Sequence, residues 1–306
     1  MRKFFGILGK LCCSGCSAAV AVLLLSVACD GGGSDKKSEQ PVEEAAETIK
    51  ELNTDSPDSD QYVSISTNMG DIVVKLYRET PLHRKNFVNL VMNGYYDGQI
   101  FYRVKPGSLI QTGDGFSRSN PSDPSVGTHD ELQSVPEEIE PGERYHKRGA
   151  LAAASVNQGQ YSSGSHFYII AGGGVNDSKL DESERFIYKE MIERRYIELQ
   201  LENNDEIRRL NDAGKKDELG KFAGKLKAQA KKELKDKEFK YTKAQRALYK
   251  KEGGAPQFDP YYTVFGEVVE GMEVVDAISR VNANPNGLPY SHVVINKMTI
   301  LDEYAE

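Results

Sequence analysis

The sequence predicts a mainly β fold with helices: a closed antiparallel barrel capped by two helices, with a charged helical hairpin inserted late in the chain. Three observations carry this expectation. Short runs of aromatic and β-branched residues recur between turn signals, as antiparallel strands require. Two amphipathic stretches of helical period stand between them. A long stretch, 180–252, contains no proline, is dense in charge, and spaces its apolar residues as a helix does.

In chain order, Arg2, Lys3 and Lys10 precede an apolar stretch over 18–28. This is far shorter than the roughly 20 residues a membrane helix needs, and it reads as the core of a secretion signal. The stretch ends Leu25-Ser26-Val27-Ala28-Cys29 and passes into Asp30-Gly31-Gly32-Gly33-Ser34, which resembles a bacterial lipoprotein signal, although Ser26 stands where leucine is usual. The resemblance implies removal of residues 1–28, lipid attachment at Cys29, and an exported protein anchored to a cell-envelope membrane, facing the periplasm or exposed at the surface. Ordinary secretory cleavage near Ala28 is the alternative, and the glycine-rich run after the cysteine favours the anchor. Cys12, Cys13 and Cys16 lie within the removed segment, so a mature chain keeps Cys29 alone and cannot form an internal disulfide.

Residues 29–60 are rich in Glu, Asp, Ser and Gly and predict a disordered acidic tether. Its reach is on the order of 30 Å, by the scaling of flexible chains. The net charge of −7 argues against nucleic acid as a partner.

The folded part then opens with alternating runs at 62–67 and 72–76 around Asn68-Met69-Gly70-Asp71, a hairpin pattern. Thr80-Pro81 predicts an N-cap and first turn, Phe87, Val88, Leu90 and Val91 a buried face, and Asn93-Gly94 a stop, so a helix is expected over 81–92. Runs at 100–104 and 109–111, joined by Pro106-Gly107, form a second hairpin that sets Arg103 close to Gln111. A loop with four prolines follows between Asn120 and Pro141. Strands are expected at 149–155, 166–171, 263–269 and 293–301, with a short helix at 273–279.

Within 180–252, Tyr188, Ile192, Tyr196 and Leu199 form one stripe and Leu219, Phe222, Leu226, Ala230 and Leu234 another. Two helices joined around 211–216 are expected, and the capping-box pattern over 242–245 adds a short third. The first is acid-rich and the second lysine-rich, so they pair without any ligand, each exposed pair contributing about 0.2–1 kcal/mol. Lysines on such a face are read as solvated rather than as a lipid or client surface.

Four motifs, in order, resemble the cyclophilin family of peptidyl-prolyl isomerases. Phe101-Tyr102-Arg103-Val104-Lys105-Pro106-Gly107 resembles F-H-R-V-x-P-G, and Ile110-Gln111-Thr112-Gly113-Asp114 resembles I-Q-G-G-D. Ser163-Gly164-Ser165-His166-Phe167-Tyr168-Ile169 resembles N-G-S-Q-F-F-I, and Val264-Phe265-Gly266-Glu267-Val268-Val269-Glu270-Gly271-Met272 resembles V-F-G-x-V-x-x-G-M. The resemblance implies a closed eight-stranded cyclophilin-like barrel over 61–179 and 253–306, with 180–252 as a helical insertion.

It also implies an isomerase of X-Pro bonds in exported proteins. Arg103 would stabilise the twisted amide and Gln111 would hold the substrate backbone. Ala154 and Ser155 would lie along the peptide, and Leu109, Tyr168, Phe258 and Tyr262, with Phe265 behind, would cup the proline ring. Neither metal nor cofactor is required. Partners would be unfolded or flexible proline-containing polypeptides and the membrane, through Cys29, for a chain acting as a monomer. Ser108, Tyr168 and Gln257 stand where relatives carry phenylalanine, phenylalanine and tryptophan, which thins the apolar rim; Tyr262 and His166 replace histidine and glutamine.

Two other enzyme readings fail on the residues. Ser163, Ser165 and His166 lack a nucleophile elbow, and adjacent strand residues point to opposite faces. Glu137, Glu138, Glu140 and Glu143, interrupted by Pro141-Gly142, read as a solvated turn rather than a metal site. The remaining rival is a tethered peptide-binding chaperone or adaptor with little isomerase activity, its helical arm holding clients along an exposed apolar stripe.

Overall fold

The computed structural model describes residues 60–140, 142–155 and 161–301. Cys29, the expected signal and nearly all of the expected tether lie outside the described residues.

From Asp60 onward the chain forms a mixed sheet and helix fold around a strongly curled antiparallel sheet. Its strands are β1 (Gln61–Thr67), β2 (Gly70–Leu76), β3 (Arg103–Lys105), β4 (Leu109–Thr112), β5 (Val135–Pro136), β6 (Ala150–Ser155), β7 (Tyr161–Ile170), β8 (Val264–Glu270) and β9 (Ile295–Leu301). The pairing order is β3-β4-β7-β6-β8-β2-β1-β9, with β5 added to the start of β7. β7 begins earlier than 166 because Tyr161-Ser162-Ser163-Gly164 extend in pairing with β5 and β6, although serine and glycine give no strand signal.

The ladder does not close on itself. β3 and β9 are its two edges, joined at one isolated bridge, Ile100 with Val294, and by loop bonds. Phe101 donates its amide to Val293 (2.9 Å) and Val104 to Gly287 (2.8 Å). The irregular segment before β9, rather than β9 itself, runs beside β3, so the closed ladder expected from sequence is replaced there by a loop seam.

The inner face of the sheet holds Val63, Ile65, Val74, Leu76, Val104, Ile110, Leu151, Phe167, Ile169 and Phe265. Two helices cover it. α1 (Pro81–Met92), with the bounds expected, contributes Phe87, Val88 and Val91, and α6 (Met272–Ser279) contributes Val275 and Ile278. Each such side chain, fully buried, contributes about 1.5–3 kcal/mol. Phe87 meets Phe167 edge-on at 5.2 Å between centroids.

The start of α1 differs from expectation. Thr80 occupies the N-cap position but makes no side-chain cap bond; its hydroxyl donates to the Tyr77 carbonyl instead. Glu138, from the loop read as a solvated turn, supplies the cap from across the fold. Its carboxylate accepts from the amides of Leu82 (3.0 Å) and His83 (2.9 Å) and lies 2.6 Å from His83 Nδ1. A negative group at a helix N-terminus is favoured by the exposed amides and the dipole.

Between β7 and β8 lie four helices rather than three: α2 (Asp177–Glu202), α3 (Asn204–Asp212), α4 (Lys216–Glu233) and α5 (Lys243–Glu252). α2 starts before residue 180 because Asn176 caps it, accepting from the Lys179 amide at 2.9 Å. The first expected helix breaks at Asn203, whose side chain competes for the backbone by donating to the Leu199 carbonyl at 2.7 Å. α2 packs on α4 through Ile192, Tyr196 and Leu199 against Phe222, Leu226 and Ala230. Lys227–Glu193 and Arg195–Glu233, each 2.6 Å, pair the acidic and basic helices. The capping box at Thr242 and Gln245 opens α5.

Burial alone would raise the Glu138 carboxyl, but hydrogen bonds from the His83 ring and the Leu82 and His83 amides outweigh it and hold it below the ordinary value of 4.5. Glu138 therefore stabilises the fold above that value, and the contribution is lost as pH falls through the lower folded pKa. Glu138→Gln is expected to cost about 1–2 kcal/mol in urea unfolding at neutral pH. The gap between wild type and variant should shrink on acidification below 4.5, and a gap that stays constant to pH 2 would contradict the assignment.

Candidate active site

The two-residue period of the sheet builds a second, outward face opposite the core. Across β3, β4, β7 and β6, the register sets Arg103 opposite Gln111, Gln111 opposite Tyr168, and Tyr168 opposite Ala152. Leu109 and Ile170 form the adjoining row. Leu109, Ala150, Ala152, Tyr168, Ile170, Ala255 and Val264 make one buried cluster on this face, against which Tyr77, Phe258 and Tyr262 pack. A cation and an amide thus sit beside an apolar, aromatic floor.

Arg103 is half-buried and donates from Nη1 to Gln111 Oε1 at 3.2 Å. Gln111 also hydrogen-bonds the Tyr102 side chain, so its amide is oriented from two sides. The stem of Arg103 lies under Gly287, where φ is +93° and a Cβ would fall 3.1 Å from Arg103 Cγ. Glycine there permits both the left-handed backbone and the close approach of the seam loop.

The floor is aromatic. The rings of Tyr168, Phe258 and Tyr262 stand mutually near-perpendicular or tilted, with centroids 5.6–5.9 Å apart. Such edge-on pairs contribute about 0.5–1.5 kcal/mol beyond their burial. His146 joins them, 5.7 Å from Phe258 and 6.1 Å from Tyr168. Nothing in the sequence marks His146, a single histidine in a charged loop whose partners come from distant segments.

The other expected residues divide. Ala154 falls where the β6–β7 register shifts, between Ala153 and Ser155, and both Ala154 and Ser155 are half-buried at the end of the strand beyond Ala152. Phe265 is on the inner face of β8, 5.3 Å from the Phe87 ring, so it backs the sheet and its neighbour Val264 faces the floor. Ser108 is half-buried in the turn between Arg103 and Gln111.

Tyr102 and His166, both departures from the quoted motifs, meet each other. The Tyr102 hydroxyl lies 2.7 Å from His166 Nδ1, and His166 Nε2 lies 2.6 Å from the His129 carbonyl. A carbonyl only accepts, so Nε2 carries hydrogen and Nδ1 of the neutral ring accepts from tyrosine. Burial, reinforced by the Asp114 charge, pushes the Tyr102 phenol well up, which keeps it a donor. The Ser163 hydroxyl accepts from the Ser165 and His166 amides at 3.2 and 2.9 Å, so it is committed to a backbone turn. The face therefore offers a fixed cation, an amide and an apolar floor: equipment for holding and polarising a bond rather than for covalent attack.

The family model described as cyclophilin type peptidyl-prolyl cis-trans isomerase/CLD matches this chain over residues 62–188 and 172–300. The peptidyl-prolyl isomerase cwc27 of Rhizopus delemar is 31% identical over 170 residues, covering 46% of this chain and 30% of that protein. A Streptococcus pyogenes protein named "Putative bifunctional phosphatase/peptidyl-prolyl cis-trans isomerase" is 28% identical over 243 residues, 78% of this chain and 38% of its own length. A Staphylococcus saprophyticus protein named "Putative peptidyl-prolyl cis-trans isomerase" is 24% identical over 253 residues, 82% of this chain and 98% of its own length. This chain thus spans about a third of the first two relatives and nearly all of the third.

Tyr102→Phe is expected to leave His166 Nδ1 buried without its partner and to cost about 1–3 kcal/mol of unfolding free energy. In a double-mutant cycle with His166→Gln, Tyr102 and His166 should couple by about 1 kcal/mol, and strictly additive losses would show that the pair is incidental.

Proposed function

The chain belongs to the cyclophilin-type peptidyl-prolyl cis-trans isomerases, and from that membership we propose that it interconverts cis and trans X-Pro bonds of exported polypeptides, using Arg103 to stabilise the twisted amide. The observation that carries the reading is the single outward row in which Arg103 holds Gln111 beside Tyr168, with Leu109 in the adjoining row and Phe258 and Tyr262 packed against the same floor.

The barrier to be lowered is about 18–20 kcal/mol and arises from resonance between the prolyl nitrogen and its carbonyl. Rotation by a quarter turn removes that resonance and leaves a lone pair on nitrogen. A donor aimed at the nitrogen is bonded in the twisted state and not in the planar one, which is differential binding of the transition state. Arginine suits the task because its charge is permanent and its fork is rigid, and no proton has to move. The floor would take the proline ring while the Gln111 side chain, oriented by Arg103, holds the substrate backbone. Ala154 and Ser155 would pair with the peptide main chain at the strand end.

The same reading assigns residues 61–179 and 253–306 to one cyclophilin-like barrel unit, its seam closed by the loop bonds beside β3, and 180–252 to an insertion. The N-terminal segment would direct export, and a lipid on Cys29 would hold the enzyme at a cell-envelope membrane while the acidic tether gives it reach. Sequence alone supports that part. Against the chaperone alternative, three of the four stripe residues, Ile192, Tyr196 and Leu199 but not Tyr188, pack against α4 rather than stand open.

A soluble form beginning at Asp30 should accelerate cis-trans exchange of an X-Pro tetrapeptide. Arg103→Ala should lower kcat/KM by about 10²-fold or more, the usual loss on removing a donor used in the transition state. Arg103→Lys should recover only part of it, because a point charge lacks the fork. Equal rates for wild type and Arg103→Ala would refute the proposed chemistry.

A further inference from the structure

The segment that carries two rings of the pocket floor is held from behind by the inserted helices. Tyr261 donates its hydroxyl to the Ile187 carbonyl of α2 at 2.7 Å, and the Arg194 guanidinium lies 4.0 Å from its ring centroid. Tyr241 donates to the Pro256 carbonyl at 2.5 Å. These contacts bracket Phe258 and adjoin Tyr262, and Tyr262 packs against both the floor and the cluster that includes Leu180, Ile187, Tyr241, Tyr249 and Tyr261.

One chain of hydrogen bonds passes from the helices to the floor itself. Tyr249 of α5 donates to Asp259 Oδ2. Asp259 Oδ1 accepts from the His146 amide at 3.2 Å and lies 2.6 Å from His146 Nδ1. His146 Nε2 is 3.0 Å from the Tyr168 hydroxyl. All four residues are deeply buried, with exposures of 0% for Tyr249, 7% for Asp259, 1% for His146 and 4% for Tyr168.

The chemistry of the partners orders the protons. A carboxylate only accepts, so Nδ1 of His146 donates to Asp259, and Nε2 is left to share a hydrogen bond with the Tyr168 hydroxyl. Burial, then the Asp259 charge, drives the Tyr249 phenol far above its ordinary value, so it remains the donor at the far end. Tyr168 stands where the quoted motif has phenylalanine, and its hydroxyl is held by His146. With serine at 108 in place of an aromatic wall, the tilt of the remaining rings decides whether a proline ring is gripped.

We propose that Tyr249, Asp259 and His146 form a positioning chain that fixes the Tyr168 ring, making the grip on proline depend on the docked state of the α5 helix. The proposal rests on the isomerase reading of the outward face and adds a control point that lies outside it. Tyr249 acts on the Tyr168 ring through Asp259 and His146.

The test is a double-mutant cycle in the full soluble chain. Tyr249→Phe is made alone and with Tyr168→Phe, measuring kcat and KM for an X-Pro tetrapeptide and the Kd of the same peptide by NMR titration. Tyr249→Phe alone should raise KM and Kd about 3- to 10-fold, the loss of one buried hydrogen bond's worth of ordering, with kcat within about twofold. In the Tyr168→Phe background it should change neither, because the chain then ends before the pocket. Equal effects in both backgrounds, or unchanged KM and Kd in the first, would overturn the proposal. Should Tyr249→Phe fail to fold, Asp259→Asn replaces it in the cycle under the same criteria. Arg103→Ala runs alongside: if it matches wild type in turnover, the isomerase reading falls, and the positioning chain is judged on peptide Kd alone.

Discussion

The alternation of side chains along β4, β7 and β6 is the constraint on which the rest of this molecule depends. One register gives the sheet two purposes. Ile110, Phe167, Ile169 and Leu151 close a core beneath α1 and α6, while Gln111, Tyr168, Ala152 and Leu109 face outward. A slip by one residue would exchange the two sets and destroy both at once. Gly113 guards that register, for a Cβ there would lie 2.2 Å from the Ser165 carbonyl oxygen, at a φ of +111°. The site is built on the other side of the sheet that closes the core.

The departures from the family pattern make sense as pairs. Histidine for glutamine at 166 meets tyrosine for histidine at 102, and each satisfies the polar group the other buries. Tyrosine for phenylalanine at 168 meets His146. A buried hydroxyl without a partner costs about 1–3 kcal/mol, and these pairings offset that cost for both tyrosines. The helices between β7 and β8 fit the same logic. Ile192, Tyr196 and Leu199 pack α2 against α4, while Tyr241 before α5 and Tyr249 within it bond the segment that carries Phe258 and Tyr262, whose Tyr261 bonds back to α2.

Much of this was legible in the residues. The Pro106-Gly107 turn fixed the pairing of Arg103 with Gln111, Thr80-Pro81 and Asn93-Gly94 bounded α1, and the box at Thr242 and Gln245 opened α5. What escaped depends on contacts distant in sequence. Glu138 caps α1 from more than fifty residues away, which no local pattern announces. The early part of β7 is serine and glycine, strand only because β5 and β6 pair with it. The barrel seam is a loop, so strand patterns could not show that the ladder stops. His146 acquires its meaning from Asp259 and Tyr168 together.

The proposed mechanism requires that Arg103 favour the twisted amide over both planar forms. Line-shape NMR on a saturated X-Pro peptide separates this from binding, since it reads the cis-trans exchange rate of the bound peptide and the affinity of each isomer. With Arg103→Ala, the account predicts that on-enzyme exchange slows by about 10²-fold while cis and trans affinities change by no more than a few-fold. On-enzyme exchange that keeps its rate, with the loss falling on affinity instead, would make Arg103 a binding residue and contradict the mechanism.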